Sequence, residues 1–139
     1  MLKLGGQLYN NNKYRITGQR PPWGLHYLEP DIVLRYGGND VVVDAKYKSH
    51  MMNLNNNSEI LRNSFREDLH QVLAYSSFSE SKEKKIIFCY PCTSIVHKVL
   101  ELNPLFNNCR AKIYLLGIPV NKNYTEKTIN YIYEIISAH

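Results

Sequence analysis

Two short apolar runs separated by a glycine pair predict a β-hairpin in the first half of the chain. The runs extend from Asp31 to Tyr36 and from Asp40 to Tyr47, and both are rich in residues that favour strands. Gly37, Gly38 and Asn39 lie between them, and these residue types tolerate the positive φ of hairpin turns. We therefore expect two antiparallel strands joined by a tight loop.

The register of this hairpin follows if Gly37 and Gly38 form a two-residue loop, because Asp31 then faces Asp44. Side chains alternate along a strand, so Asp31, Asp44 and Lys46 share one face. The other face carries an apolar set able to cover a core, consisting of Ile32, Leu34, Val41, Val43 and Ala45. A shift of one residue would bury the charges and expose the valines, so the register is well specified.

The later apolar positions predict the remaining elements. Near-helical spacing predicts a helix from about Ser64 to Phe78, and apolar runs predict covered strands over Lys85–Tyr90 and Ala111–Ile118. The segment from Ser94 to Leu102 is interpreted as a weak helix or irregular crossover. A last helix is expected over Thr125 to Ala138, with Thr125 as its N-cap.

This order of elements predicts an α/β sandwich around a mixed sheet flanked by helices, with residues 1–139 as one domain. Residues 1–27 are rich in Asn, Gly, Pro and Arg, and they are predicted to be loop and turn. The segment from Ser49 to Ser58 is an Asn-heavy insertion without a clear period. It is either a mobile loop near a bound partner or an ordinary solvated loop.

The polar face of the hairpin has the makeup of a metal-dependent site for cutting phosphodiesters. Asp31 and Asp44 repel each other unless a cation lies between them or one is protonated. Oxygen ligands suit Mg²⁺ or Mn²⁺, which can activate water and neutralise phosphate charge. Lys46 can orient that water or stabilise a charged transition state. The alternative is an exposed hairpin whose Asp and Lys form a surface pair worth less than about 1 kcal/mol.

The following helix carries a second polar pair. Gln71 and Tyr75 are four residues apart and share one helix face, so they either reach the carboxylate site or pack as an ordinary surface pair. The acids Glu67 and Asp68 are placed early in the predicted helix, where the helix dipole favours them.

Pro30-Asp31, Asp44-Ala45-Lys46 and Gln71 to Tyr75 together resemble the PD-(D/E)xK nuclease superfamily, in the branch with a Q-x-x-x-Y motif. The amino-acid sequences of these stretches are similar to those in the nuclease domain of McrC-type subunits of 5-methylcytosine restriction systems. The resemblance covers about residues 28–120. It implies a restriction-endonuclease-like three-layer fold.

The resemblance also implies roles for the matching positions. Asp31 and Asp44 would be metal ligands with the backbone carbonyl of Ala45, and Lys46 would be the catalytic lysine. Gln71 and Tyr75 would help to align the site. The implied activity is Mg²⁺- or Mn²⁺-dependent endonuclease cleavage of DNA, in concert with an AAA+ GTPase of the McrB kind that selects the target.

One feature departs from the family pattern. Such nucleases often add a metal-binding acid from a helix before the first site strand, yet Glu29 is the only acid among residues 1–30. The chain is then the C-terminal part of a longer protein, a domain whose missing helix lies on another chain, or a decayed copy.

The net charge of +5 suits a nucleic-acid partner without requiring one. Lys48, Arg62 and Arg66 are the candidate DNA-binding residues. Three cysteines, no signal peptide and no long apolar stretch suggest a reduced, cytoplasmic protein without a membrane partner. Cys89 and Cys92 form an isolated C-x-x-C, which is insufficient for a zinc site.

Three functions remain open. The first is a metal-dependent DNA endonuclease of a restriction system. The second is a DNA-binding or assembly module that keeps the fold without cleavage, and the third is a related nuclease acting on junctions, ends or RNA. Because double-strand cutting needs two active sites or two visits, a homodimer or larger assembly is expected.

Overall fold

The computed structural model describes residues 7–8, 14–15, 18–19, 27–53, 55, 58–77, 81–102 and 109–138. Within these ranges the strands and helices follow in this order: β1 (Gln7–Leu8), β2 (Tyr14–Arg15), β3 (Tyr27–Leu28), β4 (Ile32–Tyr36), β5 (Asn39–Ala45), α1 (Glu59–Ser77), β6 (Glu83–Cys92), β7 (Val96–Leu102), β8 (Arg110–Pro119) and α2 (Thr125–Ser137). A short 3₁₀ turn over Lys122–Tyr124 leads into α2. None of the described helices is long and apolar enough to cross a lipid bilayer.

The main sheet has six strands in the order β1-β4-β5-β6-β8-β7. Strands β5, β6 and β8 run parallel to one another, whereas β4 and β7 pair antiparallel to their neighbours. The fold is therefore α/β with a mixed sheet, as predicted. The short β2 and β3 pair with each other in a separate ladder, and β1 pairs with β4. The described parts of residues 1–27 therefore contain strand pairing that was not predicted, and the rest of that range lies outside the described residues.

The predicted hairpin register is confirmed. Ile32 pairs with Val43 and Val33 pairs with Val42. Gly37 and Gly38 have φ values of 58° and 82°, the left-handed conformation that a two-residue type I′ turn requires at both positions. The turn therefore sets which residues of the two strands share a face.

The core lies on both faces of the sheet, as expected for a sheet flanked by helices. For the hairpin, the expectation of a single apolar face is corrected, because Val33 and Val42 are buried on the face that carries Asp44. One cluster joins α1 to the sheet through Val72, Tyr75 and a set of strand residues that includes Val33, Val42, Ile86 and Phe88. The other joins α2 to the sheet and contains Val41, Ile87, Leu116, Ile135 and Ile136. Both sheet faces need cover because parallel strands carry helices on each side. At the margin of the second face, Ile32 and Ala45 are exposed.

The prediction of a weak helix or irregular crossover between Ser94 and Leu102 is wrong, because Val96–Leu102 is strand β7. Val96, Leu100 and Leu102 pack against the cluster below α1. The ring of His97 lies 5.1 Å from that of Tyr131 on α2. Side chains thus alternate between the faces as in any strand, but Lys98 interrupts the apolar pattern.

The helix predicted from Ser64 begins earlier, at Glu59. Glu67 and Asp68 therefore lie in the middle of α1 rather than in its first turn, so the helix dipole does not account for them. At the start of α2, Thr125 is the first helical residue, and Tyr124 in the N-cap position makes no side-chain capping bond. The predicted Thr125 cap is absent.

The Asn-heavy segment after β5 is anchored to the protein at its start. Met51 is buried in the core below α1, and its carbonyl accepts a hydrogen bond from the Cys92 thiol at 3.2 Å. Asn53 and Asn55 are exposed, while residues 54, 56 and 57 lie outside the described residues. Within its first turn, Met51 is therefore packed, whereas Ser49 and Met52 are exposed.

The C-terminal end of α2 is fixed to β6 by a buried lysine. The ammonium of Lys85 donates hydrogen bonds to the carbonyls of Ile135 at 3.0 Å and Ile136 at 3.2 Å, and also to that of Ala138. These are carbonyls for which the helix end itself has no donor. A cation in the middle of the sheet thereby completes the last turn of α2.

Candidate active site

The predicted site residues meet at the carboxyl end of β5, on the sheet face covered by α1. Asp44 and Lys46 are two residues apart, so their side chains lie on the same face of the sheet. Both are buried, with 6% and 9% of their surface exposed. The backbone N–H of Lys46 donates to the carbonyl of Cys89 at 2.7 Å, which extends the β5–β6 ladder by one residue. The interpretation of these residues as an exposed surface pair is therefore wrong.

Asp31 lies directly before β4, facing the end of β5 as the register predicts. Its carboxylate accepts a hydrogen bond from the backbone N–H of Ala45 at 2.7 Å. This bond places the Asp31 carboxylate beside the peptide that joins Asp44 to Ala45. The two aspartates are thus brought together by the hairpin alone.

The ammonium of Lys46 is surrounded by groups that favour its charge. It forms an ion pair with Asp44 and donates a hydrogen bond to the side-chain oxygen of Gln71. It also lies 4.8 Å from the centre of the Phe88 ring, within range of a cation–π interaction. Lys46 is therefore held from the strand and the helix together.

Tyr75 approaches Asp44 from the same helix face as Gln71. Its hydroxyl lies 3.5 Å from a carboxylate oxygen of Asp44, at the limit of a hydrogen bond. Burial raises the pKa of Tyr75, and the charges of Asp44 and Asp31 raise it further. The phenol therefore stays protonated and can only donate toward Asp44. Both helix residues thus reach the carboxylate site, which is one of the two alternatives considered for them.

Asp68 also faces this site, and the sequence reasoning assigned it no such role. Its carboxylate accepts hydrogen bonds from the ammonium of Lys48 at 2.7 Å and from the hydroxyl of Tyr90 at 2.9 Å. It precedes Gln71 by three positions and Tyr75 by seven, and this spacing places all three on one helix face. That spacing was the available signal.

The three candidate DNA-binding residues do not lie together in the structure. Lys48 lies beside the site, where it contacts Asp68 and the backbone carbonyl of Ser64. Arg62 and Arg66 are exposed on α1. At 3.6 residues per turn they lie roughly 180° and 140° around the helix from Gln71, so they do not share the face that carries the site.

The oxygen atoms at this site fit a hard divalent cation. Within the described ranges, no three His, Cys, Asp or Glu side chains form a metal-binding group. A cation held by Asp31 and Asp44 would therefore complete its shell with backbone oxygen, water or phosphate, as Mg²⁺ commonly does. The burial of Cys89 and the nearby charges of Asp44 and Asp31 raise the pKa of its thiol to about 11, which disfavours a thiolate ligand here.

These features define an α/β protein that gathers two carboxylates and a buried lysine at the carboxyl end of a central strand, with a polar helix face above them. The model of one protein family, described as the McrBC 5-methylcytosine restriction system component, matches residues 5–91. The chain belongs to this family. A search of curated proteins finds no match. The matched range contains all the site residues described above.

Proposed function

We propose that this chain is the nuclease component of its restriction system and hydrolyses phosphodiester bonds in DNA with Mg²⁺ or Mn²⁺. The observation that carries the proposal is the hydrogen bond from Ala45 to Asp31, because it joins the second carboxylate to the strand that bears Asp44 and Lys46. Membership of the McrBC family supports the biological setting. The PD-(D/E)xK resemblance supports the reaction class.

In this proposal Asp31 and Asp44 hold the cation, with the Ala45 carbonyl as a further ligand. The bound cation would supply the positive charge that neutralises a phosphate and lowers the pKa of water. The protonated Lys46 side chain stabilises negative charge that develops on the phosphate. Gln71 fixes the direction of that ammonium group, and Tyr75 donates toward Asp44.

The choice of target belongs to a second protein. A restriction system component with this site has the means of cutting, and we propose that an AAA+ GTPase partner brings the DNA to it. We propose that the complex contains two copies of the site, so that the two strands of a duplex are hydrolysed without a second visit.

The limited acid set favours a second candidate function. Within the described ranges no three His, Cys, Asp or Glu side chains are arranged to hold a metal together, so Asp31 and Asp44 would bind a cation without a third carboxylate. A protein with this fold and an incomplete metal site would serve as a DNA-binding or assembly module. Cleavage assays separate the two functions.

The test is cleavage of plasmid DNA by the purified chain in Mg²⁺ or Mn²⁺, with and without the AAA+ partner and GTP. We expect Asp44→Asn and Lys46→Met each to reduce the cleavage rate by about 100-fold or more, because each removes a charge from the reacting centre. Both changes nearly preserve side-chain size, and thermal unfolding verifies the fold.

Asp40→Asn is the matched control. Asp40 is also buried on β5, with 6% of its surface exposed, but it pairs with Arg35 at 2.9 Å near the hairpin turn. Its variant should retain cleavage. DNA binding without cleavage by the wild-type complex would overturn the nuclease proposal in favour of the assembly module.

A further inference from the structure

Asp68 is buried more completely than the other acids in the described ranges, with 1% of its surface exposed in the middle of α1. A buried carboxylate costs several kcal/mol unless charged or hydrogen-bonding partners compensate it. The identity of those partners therefore indicates what the residue does.

The partners of Asp68 connect α1 to the sheet. One carboxylate oxygen accepts from Lys48, and the other accepts from Tyr90 on β6. Burial raises the pKa of Tyr90, and the charge and hydrogen bond of Asp68 raise it further, so the phenol stays a donor. Both oxygens are thus engaged by the protein itself.

Asp68 also lies near the lysine of the candidate active site. Its oxygen is 3.9 Å from the Lys46 ammonium, within ion-pair range. Asp44 is the closer partner of Lys46, but in the proposed function Asp44 also holds the cation. Once its oxygens bind a cation, Asp44 attracts Lys46 less, whereas the charge of Asp68 is unaffected.

We propose that Asp68 is a positioning residue of the nuclease site, which fixes Lys48 directly and keeps the Lys46 ammonium in place while Asp44 binds the cation. This inference rests on the proposed nuclease function. It assigns four linked contacts to three residues on one face of α1: Asp68 with Lys46 and with Lys48, Gln71 with Lys46, and Tyr75 with Asp44. Asp68 acts through the lysines and touches neither the cation nor the DNA.

The test compares Asp68→Asn with Glu67→Gln in the full chain, together with the AAA+ partner where cleavage requires it. Each variant removes one negative charge, and the two positions are adjacent on α1. Both acids lie within ion-pair range of the Lys48 ammonium. The Glu67 side chain is 78% exposed, whereas that of Asp68 is 2% exposed. Glu67→Gln therefore controls for the loss of charge itself.

We expect Asp68→Asn to lower kcat about 10- to 100-fold, the usual effect of losing a group that orients the residues of a site. KM for DNA should change by a smaller factor than kcat does, because Asp68 does not contact the substrate and only one of its partners, Lys48, is a candidate DNA-binding residue. Glu67→Gln should leave both constants near their wild-type values. Tyr90→Phe, which removes one hydrogen bond to Asp68, should lower kcat by a smaller factor.

Wild-type kcat in Asp68→Asn would overturn the proposal. A loss of activity that disappears when rates are divided by the folded fraction would also overturn it, because the role would then be structural only. A rise in KM that accounts for the whole defect would do the same.

A second measurement separates this proposal from the nuclease proposal itself. Mass spectrometry can follow the labelling of Lys48 by an amine-reactive reagent in protein without DNA or metal. Asp68→Asn should raise the labelling rate of Lys48 several-fold over wild type, and Glu67→Gln should not. If the wild-type protein does not cleave DNA but Asp68→Asn still raises the labelling of Lys48 over wild type, the nuclease function fails. The contact by which Asp68 holds Lys48 then stands. Unchanged labelling would contradict that hold.

Discussion

His50 packs its imidazole ring into the polar cluster around Asp68. The ring centre lies 5.3 Å from that of Tyr90, and Nε2 is 3.5 Å from an Asp68 oxygen. Among the described residues neither ring nitrogen has a hydrogen-bond partner. Burial lowers the pKa of His50 more than the charge of Asp68 raises it, and Lys48 lowers it further. The neutral ring is therefore the form that the fold favours.

The lowered pKa of His50 predicts that the folded protein loses stability at acid pH. Because the folded protein holds fewer protons on His50 than the unfolded chain below about pH 6.5, the free energy of unfolding falls as pH decreases through that value. The substitution His50→Phe keeps an aromatic ring at this position but removes the imidazole that takes up a proton. We expect urea unfolding to show a smaller loss of stability between about pH 7.5 and pH 5 in His50→Phe than in the wild type.

The exposed His70 on α1 provides the control for this measurement. His70→Gln should keep the wild-type dependence of stability on pH. If His50→Phe and wild type lost equal stability over the same range, the neutral buried ring would be ruled out.

Among the elements, α2 relies on a lysine of the neighbouring sheet to complete its last turn. Lys85 is 4% exposed and serves carbonyls that would otherwise be unpaired in the protein interior. Burial lowers the pKa of this lysine, and the charge of Lys112 lowers it further. The hydrogen bonds must therefore outweigh an unfavourable environment for the charge.

Lys85→Met should expose the importance of this contact, because methionine keeps the apolar stem and removes the donor. We expect a decrease of about 1–3 kcal/mol in the free energy of unfolding, the cost of leaving buried carbonyls unpaired. Amide hydrogen exchange should become faster in the last turn of α2. Lys112→Met, at the position paired with Lys85 on β8, is the control and should leave that exchange unchanged.

How much of the fold was predictable differs among elements. The hairpin followed from its sequence because the Gly37-Gly38 turn and the alternating side chains specify the same register. The first turns of α1 did not, because Glu59, Ile60 and Arg62 are exposed and give no apolar stripe. Strand β7 did not follow either, because only part of its length is covered and its alternation is weak.

The site was predictable where its residues are close in sequence. Asp31, Asp44 and Lys46 follow from one hairpin, and Gln71 with Tyr75 follows from helix periodicity. The role of Asp68 does not follow in this way, because its partners come from the end of β5 and from β6. Only the packing of α1 on the sheet shows that Lys48 and Tyr90 compensate its charge.

For the whole molecule, the net charge is +5, and burial removes equal numbers of opposite charges among the described residues. The three buried lysines, Lys46, Lys84 and Lys85, are matched by the three buried aspartates, Asp40, Asp44 and Asp68. Lys48 is turned toward Asp68. Arg62 and Arg66 are exposed on α1, away from the line of site residues. Under the proposed function they would contact a duplex that extends beyond the scissile phosphate.

This placement predicts the salt dependence of DNA binding. We expect the double variant Arg62→Glu and Arg66→Glu to weaken binding, and to reduce the slope of log K against log salt by about 0.9 for each phosphate that is no longer neutralised. Fluorescence anisotropy at several salt concentrations measures both effects. The exposed Lys122 and Lys127 lie near or on α2, so their double Glu variant is a control of equal charge. An equal decrease in affinity in both double variants would mean that net charge alone governs binding.

The one-sided arrangement of contacts on α1 has a consequence for how the site is assembled during folding. The hydrogen bond from Ala45 to Asp31 spans 14 positions, whereas the contacts of Gln71 with Lys46 and of Tyr75 with Asp44 span 25 and 31. Short-range contacts close at a lower entropic cost. We therefore expect the carboxylate pair to form with the hairpin, and the lysine to be aligned only when the helix docks. A transient detachment of α1 would then leave the two carboxylates together, while Lys46 would lose Gln71 and Asp68 and keep only its contacts with the sheet. Cation binding and turnover would thus become separable states of one protein.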